Sequence, residues 1–99
     1  DTYHILYTAV SSDGFGVNLA TTQDFKHVER HGMILPPKNK DACFFPEKVG
    51  GRYLMLHRPQ ADPFSKFSIW YAESPDLIHW GNHSCLLRPR DNEWEAIKI

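Results

Sequence analysis

Cysteine is scarce in these 99 residues: there are two, Cys43 and Cys85, far apart along the chain. That spacing excludes a disulfide framework and a Cys-x-x-Cys zinc site, and it favours two reduced, buried thiols. An excess of one charge is also missing. Eleven Lys and Arg stand against 12 Asp and Glu, for a net charge of −1, so the basic footprint of a nucleic-acid binder is absent. No apolar run approaches the roughly 20 residues of a membrane-spanning helix. Neither nucleic acid nor membrane is therefore expected as a partner. No secretory leader is visible, and a cytoplasmic location is the default expectation. No stretch holds a helical hydrophobic period over three turns. The six histidines form no His-x-x-x-His pair on a helix, so no metal site is expected. The chain opens without Met in front of a strand-like run and stops inside an apolar one, and the expectation is a piece of a longer protein.

What is present reads as β structure. Hydrophobic residues make up 41% and aromatic residues 13%, enough for a packed core if each strand has neighbours. β-branched and aromatic runs predict strands over Thr2–Val10, Phe15–Thr21, Val28–Leu35, Phe44–Val49, Arg52–His57, Phe67–Glu73 and Cys85–Leu87. Between them lie turn chemistries: Ser11-Ser12-Asp13-Gly14, the two-residue hairpin Gly50-Gly51, a loop over Pro59–Ser65, and Ser74-Pro75-Asp76. Pro36-Pro37 ends the third strand, because proline cannot donate to a ladder. The polar run Lys38-Asn39-Lys40-Asp41 then leads into an innermost strand over Ala42–Val49.

An internal repeat organises these runs. Val17–Val28 aligns with Ile69–Trp80 at an offset of 52 without a gap, pairing Ala20 with Ala72, Asp24 with Asp76 and His27 with His79. Further on, His31 falls on His83, Leu35 on Leu87 and Pro37 on Pro89. Upstream, Tyr3–Tyr7 matches Tyr53–His57 at an offset of 50. A period of about 50 residues with roughly four strands per unit is the signature of propeller blades. The expected units are 1–37 and 38–89, with 90–99 leading into a further blade. Asp24 and Asp76 are expected to hold the corners by bonding backbone N–H groups two residues on. Phe25 with Val28, and Leu77 with Trp80, should anchor those corners between sheets, and His27 and His79 should be structural or exposed corner residues. Two blades cannot close a ring, so around three more are expected from other sequence.

Propellers bind ligands at the mouth of the central channel, beside their innermost strands. Cations at Lys40 and Arg58 flank such a strand and could converge on an anion or a sugar, although a solvated basic loop is the commoner origin of such a pattern. Trp70, Tyr71, Trp80 and Trp94 offer planes for sugar rings, with core packing favoured for Trp80. Strand alternation points His57 to the face opposite Arg58.

The run Lys40–Pro59, with its Phe-Pro-Glu-Lys and Leu-His-Arg-Pro segments, resembles glycoside hydrolase family 130, the β-mannoside phosphorylases and related hydrolases. So do Ile69–Trp80 and the terminal Trp94–Ile99. The resemblance implies a partial five-bladed β-propeller, all-β, made here of about two four-stranded antiparallel blades. It implies inverting phosphorolysis of a β-mannoside to mannose 1-phosphate, with inorganic phosphate as co-substrate, no cofactor and a small oligosaccharide as partner. Homo-oligomerisation is left open. Within that reading Lys40, Arg58 and Lys98 would bind phosphate, and Asp41 would lie beside the phosphate or the mannosyl unit, where its charge would weaken phosphate binding unless it paired with Lys40. The general acid, an Asp, is expected upstream of residue 1, so these residues alone should be inactive. Two rivals stand beside this reading: an inverting β-mannoside hydrolase on the same fold, and a noncatalytic carbohydrate-binding propeller.

Overall fold

The computed structural model describes residues 1–60 and 66–99. Most of the loop expected over Pro59–Ser65 lies outside the described residues. Seven strands follow one another: β1 (Tyr3–Ser11), β2 (Gly14–Thr22), β3 (Val28–Leu35), β4 (Asn39–Phe44), β5 (Tyr53–Pro59), β6 (Ile69–Ser74) and β7 (Gly81–Leu87). They form two antiparallel meanders, a three-stranded sheet β1-β2-β3 and a four-stranded sheet β4-β5-β6-β7. By the repeat, β1, β2 and β3 correspond to β5, β6 and β7. The first sheet thus has three strands where four were expected, and a counterpart of β4 is not among the described residues.

Local chemistry explains the turns. Ser11 Oγ accepts the N–H of Asp13 at 3.2 Å and donates to the Gly14 carbonyl at 3.3 Å, closing the β1–β2 hairpin. Gly50 and Gly51 both take positive φ, 58° and 79°. Val49 and Arg52 exchange both backbone bonds across them, at 2.8 and 3.1 Å, which is the tight turn predicted for that pair. Gly16 is constrained by space. A β-carbon there would lie 2.7 Å from Met33 Cε and 3.1 Å from the Leu35 carbonyl.

The innermost strand is displaced from its expected position. It runs over Asn39–Phe44 and not over Ala42–Val49 or Phe44–Val49. Asn39 pairs with Pro59 and Lys40 with Arg58, so the polar run belongs to the ladder itself. Phe45 still donates to the Leu54 carbonyl at 3.0 Å, and Pro46, which has no N–H, ends the strand.

Val17, Leu19, Ile34 and Leu35 of the first sheet meet Met55 of the second, with Leu6, Ala42, Phe44, Leu77 and Trp80 packed around them. β4 lies against β1 and β2, making it the seam between the sheets. The corners obey the repeat closely. Thr22 Oγ1 accepts the Phe25 N–H at 2.9 Å, and Ser74 Oγ accepts the Leu77 N–H at the same distance. Asp24 Oδ1 accepts from the N–H groups of Lys26 and His27, at 2.8 and 2.9 Å. Asp76 Oδ1 accepts from those of Ile78 and His79, at 2.9 and 2.8 Å. His27 and His79 are exposed and bond the same carboxylates through Nδ1.

The anchoring residues follow expectation at one corner only. Leu77 packs on the core and Trp80 stacks on Phe44 at 5.4 Å. Phe25 and Val28 stay 64% and 52% exposed, because among the described residues no second sheet covers that corner. The cysteines are free but not buried. Cys43 is exposed and Cys85 half-buried, on the two outer strands of one sheet. Two intervening strands keep their backbones about 14 Å apart, too far for a bridge.

Candidate functional site

The end of the second sheet where β4 begins and β5 ends gathers most of the charged residues singled out above. Lys40 and Arg58 are register partners there, and the next partners are Cys43 and Leu56. Asp41 and Ala42 therefore oppose His57 alone, which is a bulge. Asp41 accommodates it with φ of 55°. The bulge turns the Asp41 carboxylate toward Arg58, and the two form a salt bridge. Asp41 thus pairs with Arg58; the extra residue re-aims the side chain.

Arg58 is held on several sides. Its side chain is 13% exposed. Nη2 donates to Asp41, Nη1 donates to the Ile99 carbonyl at 3.1 Å, and the guanidinium lies 5.8 Å from the Phe67 ring centre. Its Nε is buried without a hydrogen-bond partner. Such an orphan donor on a permanent cation suits an anionic acceptor.

Lys98 arrives on the C-terminal segment. Phe67 and Lys98 form a parallel bridge, with Phe67 N–H donating to Ile97 at 3.3 Å and Ile99 N–H to Phe67 at 3.1 Å. Ion pairs Arg90–Glu95 and Lys66–Asp91 fasten the same segment. In each the cation holds its carboxyl below the usual carboxylate range. Lys98 itself is exposed. Lys40 leans the other way: its Nζ sits 5.1 Å from the Phe15 ring centre on β2. The structure therefore brings together Asp41, Arg58 and the Lys98–Ile99 backbone, and directs the Lys40 ammonium to the neighbouring sheet.

A cavity of about 190 Å³, largely apolar, opens beside this cluster, lined by Asp41, Leu56, Arg58, Ile69 and Ile99 among others. Two larger clefts, of about 570 and 560 Å³, lie at the Thr22–Glu29 corner and between the sheets. Neither includes Arg58. The corner cleft is polar because of the Asp24 turn, whose oxygens are already occupied, Oδ1 by backbone N–H groups and Oδ2 by the His27 ring.

Three polar residues of this region carry no obvious motif. His57 is 3% exposed; its Nδ1 lies 2.9 Å from Asn39 Oδ1, and its Nε2 lies 3.2 Å from Nδ1 of His83. Burial, and then the neighbouring His83, lower the His57 pKa from 6.5 to about 4. Asn39 also donates to the Pro36 carbonyl at 2.9 Å. The only sequence hint of this group is that His83 falls on His31 in the repeat. Of the aromatic planes, Trp94 is 91% exposed, while Trp70 and Tyr71 are half-buried in the sheet.

Two adjacent meanders built from one repeat define an all-β chain that is part of a β-propeller. The family described as beta-1,4-mannooligosaccharide phosphorylase matches residues 1–99. The chain belongs to that family, glycoside hydrolase family 130. It is 43% identical over its full length to a β-1,2-mannobiose phosphorylase of Listeria innocua serovar 6a, covering 28% of that protein. It is 39% identical over 98% of its length to a 1,2-β-oligomannan phosphorylase of Thermoanaerobacter sp., covering 32% of it. The structure of a Listeria innocua β-1,2-mannobiose phosphorylase in complex with β-1,2-mannobiose matches 99% of this chain. The TM-score is 0.94 at 44% identity, and the match covers 28% of that structure. The chain thus spans about a third or less of these relatives.

Proposed function

We propose that the protein containing this chain cleaves β-mannosides by inverting phosphorolysis, releasing mannose 1-phosphate. The observation that carries the reading is the match along the whole chain to relatives named as β-mannoside phosphorylases. In this scheme the chain forms part of the phosphate subsite. Phosphate attacks the anomeric carbon, the glycosidic oxygen leaves with a proton from a general acid, and the configuration inverts. Phosphate is itself the nucleophile, so the second carboxylate of an ordinary inverting glycosidase has no task. What the protein must supply is a cation that neutralises the nucleophile and holds it in line.

Arg58 takes that part. Asp41 and the Ile99 carbonyl fix its plane, so little side-chain freedom is lost when phosphate binds. Lys98 adds charge from the docked C-terminal segment. Lys40 contributes a longer-range field from the seam between the sheets, and Asp41 serves substrate binding by orienting Arg58. The segment 90–99 leads from this subsite into the next blade. The test is product analysis on the full-length protein with a β-mannobiose and inorganic phosphate. Phosphorus NMR should show α-mannose 1-phosphate. Free mannose formed at a rate independent of phosphate would place the hydrolase in its stead, and binding without turnover would point to the noncatalytic propeller.

A further inference from the structure

The second sheet carries a run of linked polar side chains that the first lacks. His83 on β7 touches His57 on β5, His57 touches Asn39 on β4, and Asn39 touches the backbone of Pro36. With the His57 ring neutral, these contacts allow one proton order. Asn39 turns its amide Nδ2 to the Pro36 carbonyl, so Oδ1 faces His57 and can only accept. His57 Nδ1 must then carry the proton, and its Nε2 presents a lone pair, which the Nδ1–H of His83 fills. Every bond points the same way, from the exposed ring of His83 toward Pro36, the residue just after β3.

The repeat does not account for this chain. In the first sheet Tyr7 stands in the place of His57, and His31, the counterpart of His83, bonds Thr21 at 2.7 Å. The linked histidines therefore belong to the sheet that carries Arg58. Their placement matters mechanically. Lys40 pairs with Arg58 and Asn39 with Pro59, so His57 and Asn39 are diagonal neighbours on the face opposite Arg58. Their bond spans the Lys40–Arg58 pair from behind and ends where β4 bulges at Asp41. The groups facing His57 are Asn39 from β4, His83 from β7 and Trp70, its register partner on β6. Among the described residues no carboxylate bonds its ring.

We propose that His57 is a positioning residue: fixed as the neutral Nδ1–H tautomer between Asn39 and His83, it pins the start of β4 and thereby the Asp41–Arg58 pair. The inference rests on the reading of Arg58 as a phosphate-binding residue. Its test pairs two measurements on the full-length protein, nitrogen NMR of labelled histidines and calorimetric titration with inorganic phosphate. His57 should show the Nδ1–H pattern, unchanged from about pH 8 to about pH 5.5. His83→Ala should mix the tautomers, and His83→Gln, whose amide can donate to Nε2, should restore the single one. His57→Phe and His57→Gln should each weaken phosphate binding about tenfold through misplacement of Arg58. An Nε2–H tautomer, titration near the ordinary histidine value, or unchanged phosphate affinity in both variants would overturn the proposal. If the unmodified protein binds no phosphate, the phosphate reading fails, and the tautomer measurement alone decides this one.

Discussion

At the scale of single residues, the site is a problem of holding an arginine still. Arg58 is nearly buried, and the groups that bond it, Asp41 and the Ile99 carbonyl, come from β4 and from the C-terminal segment. Lysine would keep the charge but lose the planar fork that bonds both at once. Arg58→Lys in the full-length protein should therefore raise the KM for phosphate about tenfold while leaving the KM for the mannoside nearly unchanged. Steady-state kinetics with each substrate varied in turn checks this. His57 makes a second prediction. The folded ring protonates only near pH 4, the unfolded ring near 6.5. Between those values the unfolded chain binds more protons, so this residue's contribution is complete above about 6.5 and is lost as pH falls toward 4. The loss should amount to about 3 kcal/mol. Denaturant titrations at a series of pH values should show the slope in the unmodified protein and a flatter profile in His57→Phe.

At the scale of elements, the corners show how a repeat is stored. Ser74 is fully buried and its hydroxyl collects the N–H groups of Asp76 and Leu77 while donating to Asp76. Thr22 Oγ1 collects the corresponding N–H groups of Asp24 and Phe25 in the first sheet, but gives its proton to the His27 carbonyl at 2.7 Å. Ser74→Ala should cost about 1–2 kcal/mol, and Ser74→Thr much less, since the other corner already uses threonine. Equilibrium unfolding of the two variants checks the ranking. The Asp24, Asp76, Gly50 and Gly51 turns were legible because their chemistry is local: each acts on backbone within three residues. The limits of β4 were not legible, because Asn39 and Lys40 are polar and gain strand geometry only by pairing with Pro59 and Arg58. The bulge at Asp41 was hidden for the same reason, and with it the pairing of Asp41 with Arg58. His57 was legible only as pointing away from Arg58. That its partners are Asn39 and His83 depends on strand order across three strands, which no local pattern encodes.

At the scale of the whole molecule, two sheets meet along β4, and much apolar surface lies outside that seam. Val10, Trp94 and Ile97 are 75%, 91% and 77% exposed, and Phe25, Leu86 and Leu87 are more than half exposed. The further blades of a propeller would cover such faces. The segment 1–99 expressed alone should accordingly bind a hydrophobic dye and self-associate, whereas the full-length protein should do neither. Dye fluorescence and sedimentation compare the two, and a monodisperse, dye-free 99-residue monomer would contradict the blade assignment.

The central claim is that phosphate binds against Arg58. Isothermal titration of inorganic phosphate into the full-length protein and into its Arg58→Ala variant tests it most directly. The account predicts saturable binding in the first and at least tenfold weaker binding in the second, the scale of one charge-assisted contact. Equal affinities in the two proteins, or no saturable heat in either, would contradict it.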